Sequence, residues 1–242
     1  MRVRTGCCGF PVGQARYARS FSLVEVQQTF YQIPPLATLM RWRERLPPPF
    51  EFTLKAWQLI THEASSPTYR RLRERLSPSQ LRRCGAFQPT PEVLHAWERT
   101  AAAAHALGAR LVLFQCPARF TPTPEQLRNL TRFFNSVERG GLQFVWEPRG
   151  PWEPALVRRL CRQLDLVHGV DPFAQPPLAG RLRYFRLHGR GGYRYRYTGG
   201  DLRQLAQHCR GRLMTYVLFN NVSMWDDARR FQRLWERSGR TA

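Results

Sequence analysis

The chain has 242 residues, 43% of them hydrophobic, which suits one α/β barrel or two small domains. No apolar run approaches the roughly eighteen residues of a membrane helix, and Met1-Arg2-Val3-Arg4 leads into a strand-like stretch with no signal-peptide pattern, so a cytoplasmic protein with no membrane partner is expected. Thirty-eight Lys+Arg against 17 Asp+Glu leave a net charge of +21, a field that favours nucleic acid or another phosphorylated anion as partner and says nothing about fold.

In chain order, a first strand is predicted over Val3–Cys8, followed by a short helix at Ala15–Phe21. A second strand, Leu23–Phe30, precedes a helix over Leu36–Leu46 that Pro47-Pro48-Pro49 stops. The third strand is Phe50–Trp57. Residues 61–89 form the longest stretch without a strand; they carry Arg70, Arg71, Arg73, Arg75, Arg82 and Arg83, with a short helix expected at Tyr69–Leu76. Thr90-Pro91-Glu92 opens a helix that repeats apolar residues at helical spacing as far as Leu107 and ends at Gly108. Strand four, Leu111–Gln115, precedes a helix opened by Thr123-Pro124-Glu125-Gln126, where a capping threonine meets proline in the first turn. Strand five (Leu142–Glu147), a helix (Pro154–Leu164), strand six (Leu166–Val170), strand seven (Leu182–His188), a helix (Asp201–Cys209), strand eight (Met214–Phe219) and a helix (Trp225–Trp235) complete the set.

Eight mostly continuous apolar strands alternating with helices predict one (β/α) TIM-like barrel spanning 1–242, with an elaborated loop after strand three. The six cysteines show no C-x-x-C pair, and Cys116 and Cys161 read as small buried hydrophobes. Lys55 is the only lysine; the other 37 basic residues are arginine. An ammonium kept inside an apolar strand, in a chain that uses guanidinium everywhere else, points to a functional role, because a buried lysine shifts its pKa readily.

In such barrels the chemistry gathers where strands end. Those ends carry Glu25, then Lys55 with Thr61-His62 beyond it, Gln115, Glu147 with Arg149 and Trp152, Asp171, Arg186 and His188, and Asn220-Asn221. Buried charges need partners, so Lys55 is expected to pair with Glu147 or Glu25. Arg149 is suited to clamping a carboxylate or phosphate, and two carboxylates with His188 to acid–base work.

The ordered runs Gly6-Cys7-Cys8-Gly9-Phe10, Val24 to Tyr31, Phe50 to Ala56, Ile60-Thr61-His62, Phe114-Gln115-Cys116-Pro117, Glu147-Pro148-Arg149, Arg186-Leu187-His188-Gly189 and Phe219-Asn220-Asn221 resemble the YecE-like family, also called domain of unknown function 72. The resemblance covers nearly the whole chain. It implies a TIM-barrel-like fold resembling the metal-dependent endonuclease IV and sugar isomerase barrels. It also implies a pocket formed by Glu25, Tyr31, Lys55, His62, Gln115, Glu147, Arg149, His188 and Asn220. Cys8 and Phe10 depart from the serine-tryptophan pair common in the family, and Val222-Ser223-Met224-Trp225 departs from its glycine-containing acidic turn.

Three functions follow, in ranked order. The first is nucleic-acid binding with metal-assisted phosphodiester hydrolysis. It rests on the charge, on arginine and tyrosine interleaved over 181–197, including Arg186 and Tyr193, and on Glu25, His62, Glu147, Asp171 and His188 as ligands for a divalent ion, the one cofactor considered. The second is an enzyme on a small phosphorylated or carboxylated metabolite, with Lys55 as Schiff-base nucleophile or general base and Arg149 as anion clamp. The third is a non-catalytic nucleic-acid-binding module. The expected catalytic residues are Glu25, Lys55, Glu147 and His188. Tyr31, His62, Gln115, Arg149, Trp152, Arg186, Tyr193, Asn220 and Asn221 are expected to bind substrate.

Overall fold

The computed structural model describes residues 3–238. Its strands are β1 (Val3–Cys8), β2 (Leu23–Val26), β3 (Glu51–Lys55), β4 (Leu111–Gln115), β5 (Gln143–Glu147), β6 (Leu166–Val170), β7 (Arg183–Leu187) and β8 (Thr215–Phe219). They close in sequence order into one barrel, every pairing parallel, with β1 sealed against β8 from Val3↔Thr215 to Cys7↔Phe219. Around and between them lie α1 (Gln14–Ala18), α2 (Gln28–Tyr31), α3 (Leu36–Glu44), α4 (Gln58–Thr61), α5 (Pro78–Arg82), α6 (Pro91–Leu107), α7 (Pro124–Ser136), α8 (Pro154–Gln163), α9 (Gly199–His208) and α10 (Met224–Ser238).

The strands are apolar on both faces because both faces are buried. Val24, Phe52, Leu54, Val112, Phe114, Phe144 and Trp146 pack outward against the helices. Their neighbours Leu23, Leu111, Leu113, Val145, Val167, Tyr184, Tyr216 and Leu218 fill the barrel interior. At its amino-terminal end the interior is closed by Arg4 Nε, 3.0 Å from Glu51 Oε2, with the Tyr216 hydroxyl also donating to Glu51. Gly169 of β6 stands at a close approach, since a Cβ there would lie 2.8 Å from Val145 Cγ1 and 3.4 Å from Glu147 Cβ. That vacancy leaves room for the Glu147 side chain.

Two predicted elements are corrected. Strand two stops at Val26, and Gln28–Tyr31 is the helical turn α2. The Thr29 hydroxyl ends the strand by donating towards the Lys55 carbonyl (2.7 Å) and the Val26 carbonyl (3.1 Å), which turns Phe30 under the barrel mouth. The helix expected over Tyr69–Leu76 is a 3-10 turn at Pro67–Arg71, capped by Ser66, with Leu72 already extended. A separate helix, α5, starts at the Ser77–Gln80 capping box. The Tyr69 hydroxyl donates to the His62 carbonyl at 2.8 Å and the Arg73 backbone N–H to Gln32 Oε1 at 3.2 Å, so contacts outside the turn hold this segment.

Candidate active site

Alternation along each strand brings Cys8, Glu25, Lys55, Gln115, Glu147 and Arg186 into the carboxyl-terminal layer of the interior, with the register setting Cys8 beside Glu25 and Gln115 beside Glu147. Arg186, fully buried, is its hub. Its Nη2 is 2.8 Å from Glu25 Oε1 and its Nε 3.1 Å from both Glu25 oxygens. Its Nη1 reaches Glu147 Oε2 at 2.6 Å and Gln115 Oε1 at 3.1 Å. The Tyr184 hydroxyl donates to Glu25 Oε2 at 2.7 Å and lies 2.8 Å from the Thr53 hydroxyl, while Gln27 donates to Glu25 from the rim. Burial alone would raise the Glu147 pKa, but Arg186, the His188 hydrogen bond and Arg149 outweigh it and hold the carboxyl well below its usual range.

The expected pairing of Lys55 with a glutamate is therefore absent. Arg186 binds both carboxylates, and no carboxylate of the described residues stands within ion-pair distance of Lys55 Nζ. Lys55 is 6% exposed, and its ammonium lies 3.5 Å from the centroid of the Phe30 ring. Burial, then repulsion from Arg186, lowers its pKa to about 7 against the opposing pull of Glu147 and Glu25. The ring face offers a weaker partner than a carboxylate would.

Arg149 rises over the layer. Its Nη2 lies 2.7 Å from Glu147 Oε1 and 2.5 Å from His188 Nε2. His188 Nε2 also lies 3.3 Å from Glu147 Oε1, and its Nδ1 lies 3.0 Å from Asn220 Nδ2. Burial keeps His188 neutral by lowering its pKa, and Asp171 Oδ2 accepts from its backbone N–H at 3.1 Å. His62 packs edge-on to Phe30 with ring centroids 4.9 Å apart. Burial, then Lys55 and Arg119, push its pKa down to about 3.

The layer and its rim thus gather Glu25, Lys55, His62, Gln115, Glu147, Arg149, Arg186, His188 and Asn220. Other expected residues stand apart. Trp152 packs on Phe120 and Trp146, its indole N–H donating to the Phe120 carbonyl at 2.9 Å. Asn221 is buried against Asp227 and the Tyr195 carbonyl. Tyr193 is exposed on the loop after β7. Tyr31 lies under the Arg71 guanidinium, 3.5 Å from its centroid, in the wall of a neighbouring groove. Sequence reasoning gave no site role to Tyr184 or Phe30, nor to Gln27, although Gln27 stands among the polar residues of the second predicted strand. Tyr184 was within reach, since it lies two residues before Arg186 and so on the same strand face; Phe30 was hidden by reading α2 as strand.

A divalent metal fits this arrangement poorly. Among the described residues no three His, Cys, Asp or Glu side chains converge as a ligand set, and the two central carboxylates already receive Arg186. Among these residues, too, no helix is long and apolar enough to cross a membrane.

A family model described as protein of unknown function DUF72 matches residues 14–242. Among curated proteins none matches. A DUF72 family protein from Enterococcus faecalis superposes with a TM-score of 0.71 at 18% identity, over 97% of this chain and 94% of that one. One from Thermotoga maritima gives 0.68 at 18% identity, over 98% and 100%. A D-psicose 3-epimerase, solved in the presence of D-fructose, gives 0.62 at 11% identity, over 97% and 98%. At these identities the likeness is one of fold.

Proposed function

This chain belongs to the DUF72 family of proteins of unknown function, and from that premise we propose that its barrel mouth acts on a small anionic carbonyl compound, with Lys55 as the nucleophile. The observation that carries this reading is the uncompensated ammonium. Both buried glutamates are bound to Arg186, while the chain's only lysine is held against a phenyl face with no carboxylate partner among the described residues. Such a site disfavours the charged amine, and the neutral amine is the nucleophilic form. Its lone pair adds to the carbonyl carbon as the C–O π bond breaks. The two protons of the amine are transferred to the oxygen, which leaves as water, and the imine forms on Nζ. Arg149, whose side chain is 37% exposed, is placed to hold an anionic group of the substrate from above. Sugar epimerase neighbours of the same fold are consistent with small-molecule chemistry at this end of a barrel.

The test uses the scarcity of amines. Treating the protein with pyridoxal at pH 7, reducing with borohydride and mapping adducts by mass spectrometry distinguishes Lys55 from the α-amino group, the other primary amine of the chain. Prompt modification of Lys55 is expected. Modification confined to the α-amino group would sink the reading.

Nucleic-acid binding remains a second reading because of the +21 charge. Its single-strand form loses some of its expected stacking surface. Tyr197 is buried and stacked on Phe173, the Tyr195 hydroxyl donates to Asp201 at 2.7 Å, and Arg190 pairs with Asp201 at 2.8 Å. Of these tyrosines Tyr193 alone keeps an exposed ring. Binding to single-stranded and duplex DNA and to RNA across a salt series tests it; affinity that vanishes near physiological salt is counterion release alone.

A further inference from the structure

Beside the mouth runs a groove of about 640 Å³ between the α2–α3 connection and the basic 3-10 segment, with a second hollow of about 520 Å³ sharing its wall at Gln32, Ile33 and Arg73. Arg70, Arg71 and Arg73 line it, all exposed and none within ion-pair distance of a carboxylate of the described residues. One guanidinium is held by stacking and one backbone by a hydrogen bond. The Arg71 guanidinium lies 3.5 Å from the Tyr31 centroid, and the Arg73 backbone N–H donates to Gln32 Oε1 at 3.2 Å. Stacking covers the face of a guanidinium and leaves its in-plane N–H groups free for an anion.

The groove and the mouth adjoin at Gln27. Gln27 lines the groove while donating to Glu25 in the buried layer. Lys55 Nζ is 3.5 Å from the Phe30 centroid, Phe30 is 5.0 Å from Tyr31, and Tyr31 is 3.5 Å from Arg71 Cζ. Those steps laid end to end set an upper limit on the separation of ammonium and guanidinium that a sugar phosphate can reach across.

We infer that this groove is a phosphate site, and that the substrate is a phosphate monoester of a short polyol or sugar whose carbonyl end reaches Lys55. The assignment deepens the proposed function and rests on it for the reacting end. Three unpaired guanidinium groups match the several oxygens of a phosphate dianion better than they match the two of a carboxylate. The glutamine amides along the wall, Gln27, Gln28 and Gln32, suit the hydroxyls of a polyol. A monoester is favoured over a phosphodiester polymer because the barrel interior below the mouth is filled by the Arg186 layer and the apolar residues beneath it. Only the end of a ligand can enter.

Two measurements on the full chain test this. In the first, Lys55 labelling by pyridoxal 5′-phosphate and by pyridoxal is compared, each normalised to labelling of the α-amino group in the same sample. Wild type should prefer the phosphorylated aldehyde by roughly tenfold, and inorganic phosphate should protect Lys55. The Arg71→Gln/Arg73→Gln double variant should lose that preference and keep its pyridoxal labelling. Labelling of Lys55 with no preference for the phosphate would overturn the inference and leave the proposed function standing. A single-stranded oligonucleotide without a terminal phosphate that protects Lys55 better than inorganic phosphate, at equal phosphate concentration in physiological salt, would also overturn it, in favour of a polymer. The second measurement is calorimetric titration of inorganic phosphate into wild type and the double variant, which reads the groove even if Lys55 proves inert. Saturable binding weakened about tenfold or more in the variant is expected; identical binding, or none in wild type, refutes the site.

Discussion

The two ends of the barrel interior use charge in opposite ways. At the amino-terminal end Arg4 and the Tyr216 hydroxyl converge on Glu51, one cation for one carboxylate. At the carboxyl-terminal end Glu25 and Glu147 face Arg186, Arg149 and Lys55, and among the described residues it is the two arginines, not Lys55, that pair with the carboxylates. The lower end is a neutral plug. The upper end holds a cation in excess, buried where water cannot screen it, and this costs stability. Such a cost is retained where function requires the group.

Substitutions can break this contrast. Arg186→Met leaves two buried carboxylates without their cation and should cost about 4 kcal/mol, read by urea denaturation, the largest effect in the interior. Lys55→Met should act in the opposite direction. With its pKa lowered from 10.5 to about 7, the unfolded chain binds a proton between those values that the native state does not. The penalty is thus complete below pH 7 and disappears as pH rises through 10.5. The variant should be more stable than wild type by a few kcal/mol at pH 7, with the gap closing towards pH 10.5 in denaturation curves recorded across that range. A constant gap would mean that Lys55 is not depressed.

Smaller changes sharpen the comparison. Tyr184→Phe removes the donor to Glu25 and the contact with Thr53 and should cost about 2 kcal/mol, because a hydrogen bond to a buried charge is lost. Glu51→Gln, at the balanced end, should cost about 1 kcal/mol, since Arg4 keeps access to water. If Glu51→Gln instead matched Arg186→Met in thermal or urea unfolding, the two ends would not differ as described.

The barrel was legible because its signal is local. Both-face burial writes a continuous apolar run for each strand, and β1, β4 and β6 match the predicted bounds. Helix starts were equally plain at Thr90 and Thr123, whose side chains accept from Val93 N and Gln126 N as their capping signals imply. The layer of polar strand ends followed from the same alternation, which assigns each residue a face without reference to any partner.

Partner choice was another matter. Glu147 was expected to meet Lys55 and meets Arg186, because the planar fork of a guanidinium can serve two carboxylates at once where an ammonium is a point charge. Phe30 became the platform under Lys55 only because the Thr29 hydroxyl bonds across to β3 and ends β2 early. The aromatic–arginine stretch after β7 looked like one surface until packing turned Tyr197 inward and left Tyr193 outside. The chain's local pattern determined the fold and the face on which each candidate side chain lies, since both depend on periodicity within a strand or helix. Closure of the barrel decided which charges meet and which one is left unpaired, because that depends on distances between residues as far apart in the chain as Glu25 and Arg186.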